Sequence, residues 1–271
     1  MLQRDRRTVK KNTSLESLLS KDLNVIHKLF KYLFLVVIST FSWLTYSQVP
    51  GDQSEVQTKV YKTIGRTKLK LYIYQPSERN ALEQLPAVVF FHGGGWGGGH
   101  AWQFVPQCKY LAERGIMAMS VEYRVRKRQG VTPFECVADA KSAIRWIRVH
   151  AGEFGIDKDR IAAGGGSAGG HLAACSALIK EFDEKNEDLS VSSVPNALVL
   201  FNPVLDVPEI VHVLPEKVIR VLKDRATEIS PIHNVSIGAP PTIIFALQDS
   251  CIIFIIFFAW LYKGVGIVIH I

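Results

Sequence analysis

From about Val60 onward, hydrophobic and polar positions follow two alternating periods. Leu69–Tyr74 alternates apolar and polar residues, the pattern of a half-exposed strand. Ala87–Phe91 (AVVFF) is a short unbroken apolar run, as a strand buried on both faces shows. Phe104–Arg114 takes helical spacing, and Gly115 follows where a helix-ending glycine belongs. Ile116–Tyr123 predicts another strand. Glu135–His150 predicts a helix with Val137, Ala140, Ala143, Ile144 and Ile147 on one stripe. Arg160–Ala163 then predicts a strand, Ala168–Ile179 a helix, and Ala197–Phe201 and Thr242–Ala246 two further buried strands. Strands separated by helices imply one α/β domain, a mainly parallel sheet with helices on both faces. No internal repeat or low-complexity linker interrupts it.

Both ends depart from this pattern. Tyr32–Ser47 is an uncharged 16-residue stretch preceded by Lys28 and Lys31. It falls short of the ~20 apolar residues that span a bilayer comfortably. A basic flank, an apolar centre and small residues at Thr45 and Ser47 fit a secretory signal cleaved before Gln48. The 31 residues ahead of it are long for such a signal, so either the true start lies downstream or the segment is an uncleaved amphipathic anchor. The expected address is secreted or periplasmic, with membrane anchoring as the alternative. Cys251–Ile271 carries one ordinary charge, Lys263, and no amphipathic period. The chain thus reads as a leader over 1–47, a domain over 48–250 and an atypical hydrophobic tail over 251–271. Either end segment could touch a membrane.

Composition narrows the classes. The 271 residues are 48% hydrophobic and 21% charged, which excludes a disordered or fibrous chain. Residues 1–31 hold eight Lys/Arg and three Asp/Glu, so +5 of the formal +7 belongs to the leader. The body is nearly neutral and implies no nucleic-acid partner. Cys108, Cys136 and Cys175 read as small buried apolar groups; in an exported protein, Cys108–Cys136 is a possible bridge. Oligomeric state is not legible.

Eleven of the 20 glycines sit in two windows, 93–99 and 164–170. His92-Gly93-Gly94-Gly95-Trp96 follows the strand ending at Phe91. Gly165-Gly166-Ser167-Ala168-Gly169 lies between a strand and a helix, the setting of a G-x-S-x-G nucleophile elbow. There Ser167 is held above the sheet as the nucleophile. The Ala168 N–H at the helix start is one oxyanion donor, and Gly94 and Gly95 supply others because no side chain blocks their backbone. A phosphate-binding reading lacks the G-K-[ST] ending of a P-loop. His92 braces the glycine loop, His171 lies in the elbow helix, and neither is placed as a general base. Arg124, Arg126, Lys127 and Arg128 read as a solvated loop.

On these motifs the chain resembles α/β-hydrolases of the esterase/lipase group. It is similar to the hormone-sensitive-lipase-like and the feruloyl or acetyl-xylan esterase-like families, over about Leu69 to Asp249. Further points of likeness are Glu122-Tyr123-Arg124, Asp139-Ala140-Lys141-Ser142-Ala143, Gly169-Gly170-His171, Ser230-Pro231 and Pro240-Pro241-Thr242. Gly166 departs from the Asp that many relatives carry before the serine. The resemblance implies hydrolysis of small-molecule carboxylic esters, with a short acyl or a carbohydrate component, by a Ser-Asp-His triad without cofactor or metal. Val204–Ser236 is the region expected to form a small lid.

In this fold the triad runs Ser, then Asp or Glu, then His. Asp249, just past the strand at Thr242–Ala246, is the expected acid, and Asp206 the weaker candidate. His270 is the sole histidine beyond Asp249. Three readings of the tail compete. An out-of-register tail from a frameshift or premature stop leaves the last helix and strand missing or replaced. A hydrophobic C-terminal anchor is the second. A compressed ending in which Gly266–Ile269 forms the last strand and presents His270 is the third. Under the first two the chain is a defective or non-catalytic member of the fold, membrane-held under the second, that hydrolyses esters poorly.

Overall fold

The computed structural model describes residues 56–77, 83–246 and the backbone of 267–270. The leader, Asp249, Cys251 and the bulk of the hydrophobic tail lie outside the described residues. An eight-stranded sheet runs in the order β1-β2-β4-β3-β5-β6-β7-β8. Its strands are β1 (Gln57–Ile64), β2 (Thr67–Tyr74), β3 (Leu85–Phe91), β4 (Met117–Val121), β5 (Ile156–Gly166), β6 (Ala197–Phe201), β7 (Thr242–Phe245) and β8 (Ile267–His270). β1 and β2 pair antiparallel with each other, and β2 with β4; every pairing from β4 through β3 to β8 is parallel. The alternating periods imply this mainly parallel sheet, and the resemblance implies its α/β-hydrolase arrangement.

Alternation along the strands divides the core in two. Ala87, Val89 and Phe91 of β3 face the larger cluster, with Met119, Val121, Ile161 and Ala163. Val88 and Phe90 face the smaller one, with Tyr74, Phe104 and Ala118. On the larger side lie α2 (Pro133–Val149) and α3 (Ala168–Leu178); on the smaller lies α1 (Val105–Ala112). α3 (AGGHLAACSAL) has no polar stripe, and all but its last two residues are buried, as a helix apolar all round must be. α2 begins two residues ahead of the predicted start. Pro133 fits its first turn, and Glu135 reaches back to accept the Thr132 N–H at 2.8 Å, a capping box.

Several expectations change here. Cys108 sits on α1 and Cys136 on α2, in clusters on opposite faces of the sheet, and both are free thiols; the possible bridge is excluded by the intervening sheet. β1 is an element that sequence periodicity missed. Arg124 is buried rather than solvated: its guanidinium grips Asp139 of α2 at 2.7 and 2.8 Å. A last strand is also present: β8 pairs with β7 in the register Thr242↔Ile267 to Phe245↔His270, as in the compressed ending. Val204–Ser236 is largely helical, with Val207–Ile210, α4 (Glu216–Leu222) and three 3₁₀ turns, yet it leaves Ser167 exposed.

Candidate active site

The site is assembled where β3 and β5 end side by side, Phe91 opposite Gly165. Ser167 follows β5 directly at φ 52°, ψ −119°, outside the basins ordinary L-residues occupy, and α3 starts at the next residue. Its own N–H is anchored to Phe201 O (2.9 Å), and its carbonyl accepts the His171 N–H (3.0 Å). The turn can be this sharp only because its flanks lack side chains. A Cβ on Gly169 would collide with Phe91 O and lie 2.6 Å from His92 O; one on Gly165 would collide with the same Phe91 carbonyl. The two outer glycines of the motif therefore let strand, elbow helix and glycine loop meet backbone to backbone. Gly166 is different: a Cβ there makes only ordinary contacts with Phe104 and Phe201, so the replacement for Asp costs no space.

The glycine loop comes to the nucleophile at Gly93, whose Cβ position lies 3.6 Å from Ser167 Cβ. The Gly93 N–H is taken by Gln103 Oε1 at 2.5 Å, and the Gly94 carbonyl closes the loop by accepting from Gly97 (3.0 Å) and Gly98 (3.1 Å). Among the described residues no acceptor takes the N–H of Gly94 or Gly95, both of which are exposed. Ala168 opens α3, where first-turn N–H groups have no intrahelical acceptor and the helix end is partially positive. The three expected oxyanion donors are thus uncommitted. Gln103 carried no signal in the sequence: its role depends on a bond made across ten residues by an unremarkable exposed side chain.

Two buried histidines hold the loop. His92 donates Nδ1–H to Gly93 O (2.8 Å), stacks on Tyr123 at 4.1 Å between ring centroids, and its carbonyl accepts the Tyr123 hydroxyl (2.7 Å). His171 accepts the Trp96 indole N–H on Nδ1 (3.2 Å) and gives Nε2–H to Ile229 O (2.7 Å). Burial pushes both imidazoles down to about 4, so each is neutral at pH 7. Neither is a general base for Ser167; the roles expected of them, brace and helix residue, are the ones they occupy. From the other side, Arg126 N–H bonds Trp96 O (3.0 Å), Lys127 N–H bonds Gly97 O (3.0 Å), and the Arg128 guanidinium bonds Gly99 O (2.9 Å). The basic cluster is thus partly a scaffold.

Asp206, the weaker acid candidate, caps the Val207–Ile210 turn by accepting the Glu209 N–H (3.4 Å) and is occupied there. Asp249 lies outside the described residues. His270 is described only by its backbone, which shares a register row with Gly166, Phe201 and Phe245. Among the described residues no group of three or more His, Cys, Asp or Glu side chains could hold a metal, and no helix is long and apolar enough to cross a membrane. An open groove beside Arg148, Lys158 and Asn196 lies at the opposite end of the strands, its Arg148 spent on the Lys158, Ser192 and Val194 carbonyls.

Comparison with known proteins agrees with this geometry. The apo form of Thermogutta terrifontis esterase 2 superposes with a TM-score of 0.74 at 41% identity, covering 82% of this chain and 85% of that one. The same esterase phosphorylated by paraoxon gives a TM-score of 0.72 at 41% identity, over 82% and 84%. Esterase LipC of Mycobacterium tuberculosis is 31% identical over 183 residues, 62% of this chain and 45% of LipC. The chain spans from about a quarter to about half of the length of the curated relatives it matches. Residues 71–252 match the BD-FAE family over well more than half of the chain, with both glycine motifs inside the match: the chain belongs to the BD-FAE family, on the α/β-hydrolase fold of esterases and lipases.

Proposed function

We propose that this protein hydrolyses carboxylic esters, of a short acyl chain or of a carbohydrate, through an acyl-enzyme on Ser167. The observation that carries the reading is the juxtaposition of Ser167, exposed at a strained elbow, with the uncommitted N–H groups of Gly94, Gly95 and Ala168. The Ser167 hydroxyl adds to the ester carbonyl, and charge builds on the carbonyl oxygen. Three preorganised N–H donors and the α3 N-terminus stabilise that charge, the interaction that most favours the transition state over the ground state. The Ser167 proton passes through the base to the departing alkoxide, so collapse expels the alcohol and leaves the acyl group on Ser167, and water then releases the acid. Thermogutta terrifontis esterase 2, to which this chain is similar, is phosphorylated by paraoxon, and an exposed nucleophile such as Ser167 fits that kind of reactivity.

Asp249 is the orienting acid in this reading, four residues past β7. His270 is the base, since it follows Asp249 in the order the triad requires and β8 carries it at the same end of the sheet as the elbow. The row from Gly166 to His270 crosses three strand spacings, about 14 Å. That span is wide for a direct serine–imidazole bond, so turnover is expected to be slow. With the base poorly placed, the oxyanion hole and binding still leave roughly 10³–10⁴-fold acceleration over water.

The test is a fluorophosphonate probe with peptide mapping, alongside hydrolysis of p-nitrophenyl acetate. Labelling is expected at Ser167, with slow turnover that Ser167→Ala abolishes and His270→Ala reduces further. A chain left unlabelled under conditions that label Thermogutta terrifontis esterase 2 is a non-catalytic member of the fold, and the reading falls.

A further inference from the structure

We propose that His171 is a positioning residue, which ties the oxyanion loop to the elbow helix and to the 204–236 segment through a Trp96–His171–Ile229 relay. The inference rests on the esterase reading of Ser167 and adds to it the side chain that fixes where the Gly94 and Gly95 donors point.

The relay is built from three parts of the chain that are far apart in sequence. Trp96 closes the glycine loop at φ 55°, a left-handed backbone that a tryptophan holds only under constraint, and its side chain is 2% exposed. Its indole N–H reaches His171 Nδ1 at 3.2 Å, and the two rings meet edge to face with centroids 5.0 Å apart. His171 lies in the first turn of α3, four residues past Ser167, and is fully buried. Its Nε2–H goes to Ile229 O at 2.7 Å, and Cys175 Sγ lies 3.3 Å from the same nitrogen. The ring therefore accepts on one side and donates on the other. Only neutral imidazole protonated at Nε2 can do both.

That arrangement matters to the chemistry because the oxyanion donors come from two bodies. Ala168 belongs to α3, while Gly94 and Gly95 belong to the loop that Trp96 closes. The three N–H groups converge only if loop and helix keep one relative position. The backbone ties of Trp96 and Gly97 run to Arg126 and Lys127, away from α3, whereas the side-chain tie runs through His171. A side chain with the same shape but no hydrogen bonds removes this tie to α3 and leaves the loop held by Arg126, Lys127 and Arg128 on one side and by His92 and Gln103 at its base. A displacement of about 1 Å at an oxyanion donor is enough to cost on the order of 10²-fold in rate. Such a loss falls on the transition state and spares ground-state binding.

The experiment compares the full chain with Trp96→Phe, His171→Leu and His171→Gln. Four quantities are measured: the fluorophosphonate labelling rate, kcat and KM for p-nitrophenyl acetate per labelled site, and amide hydrogen exchange of the 93–99 peptide. Trp96→Phe removes the indole N–H together with part of the buried ring, and normalising to labelled sites takes out the accompanying loss of stability. Trp96→Phe and His171→Leu are expected to lower kcat and the labelling rate by roughly ten- to a hundredfold, with KM held within about twofold. In both, exchange of 93–99 speeds up. His171→Gln, whose amide can accept from Trp96 and donate to Ile229, is expected to recover most of the rate and the protection. Normalising to labelled sites separates a misplaced donor, which slows each site, from a folding defect, which lowers the number of sites. Parent-like exchange and rates in Trp96→Phe and His171→Leu overturn the proposal, as does a His171→Gln variant as impaired as His171→Leu at an equal number of labelled sites. If the parent chain is not labelled at all, the esterase reading fails, and the exchange of 93–99 alone still decides whether the relay holds the loop.

Discussion

At the residue scale, the site is a problem of excluded Cβ atoms. Ser167 needs its hydroxyl presented beside Gly93, and that demands three backbones within van der Waals reach: the end of β3, the end of β5 and the first turn of α3. Gly169 is where the demand is most severe, because its Cβ position is already filled by the Phe91 and His92 carbonyl oxygens. Neither oxygen sits on a flexible side chain that could swing away. Gly169→Ala therefore has to move either α3 or the strand that leads into the oxyanion loop. A cost of about 3 kcal/mol in stability is expected, at the upper end for an overpacked core. Whatever folds should label at Ser167 at least about 100-fold more slowly, since donors and nucleophile no longer share a frame. Gly152→Ala is the control: it lies in the helical turn Ala151–Phe154 with open space around its Cβ position. It should be neutral, or stabilising by up to about 1 kcal/mol, through the better helix former. Urea denaturation and labelling kinetics on the two variants test the contrast, and equal behaviour of the pair would sink it.

At the scale of elements, β1, β4 and α2 are joined by charge as much as by apolar contact. Lys62 of β1 and Arg124, just past β4, both converge on Asp139 of α2, whose side chain is wholly inaccessible. Glu184 closes the cluster from the loop after α3, at 2.7 Å from Lys62 and 2.9 Å from Arg124. Neutralising Asp139 leaves two cations in a poorly hydrated pocket with one partly exposed carboxylate between them. Asp139→Asn should therefore cost about 3–5 kcal/mol, the penalty for breaking a buried ion pair from one side. Glu216→Gln, in the exposed Arg220 pair, should leave the denaturation midpoint unchanged. This cluster also marks the limit of sequence reading. Ala87–Phe91, Ala197–Phe201 and Thr242–Phe245 were legible because a strand buried on both faces cannot hide its apolar run. The placing of Ser167 and Ala168 at a strand-to-helix elbow, and of Gly94 and Gly95 in a tight loop, was legible because both turns are local, each complete within seven residues. Arg124 was misread because four basic residues within five positions look like surface until Asp139, 15 residues away, is brought against the first of them. β1 (QTKVYKTI) escaped because it is an edge strand with a bulge between Val60 and Lys62 that breaks its alternation. The Trp96–His171 bond spans 75 residues and has no local trace at all.

At the scale of the whole molecule, the same two histidines that brace the site set how stability responds to acid. His92 and His171 are buried neutral, and burial takes both from an ordinary value of 6.5 to about 4. The unfolded chain binds protons at these two residues as pH falls through 6.5, while the native protein does not until about 4. Over that window the unfolded state holds more protons, so stability falls as pH falls. Each histidine contributes on the order of 1–2 kcal/mol between pH 6.5 and 5. That is a substantial share of the 5–15 kcal/mol that holds a typical domain folded. The partly buried carboxylates Asp183 and Glu184 do not confuse this interval. Burial alone would raise Asp183 and Glu184, but Lys141 and Arg145 on the first, and Lys62 and Arg124 on the second, bring both below the ordinary carboxylate range, so they titrate at lower pH. The urea midpoint should therefore drop between pH 7 and pH 5. His171→Gln, which keeps the relay's hydrogen bonds but carries no titratable ring, should lose about half of that drop while remaining close to the parent at pH 7. An unchanged midpoint across the interval in the parent, or an undiminished drop in the variant, would show that these rings are not the groups excluded from protonation by the fold. The consequence for activity is directional: acid weakens the frame that aligns the oxyanion donors before it reaches Glu184, so labelling of Ser167 should fail on the acid side ahead of the loss of secondary structure.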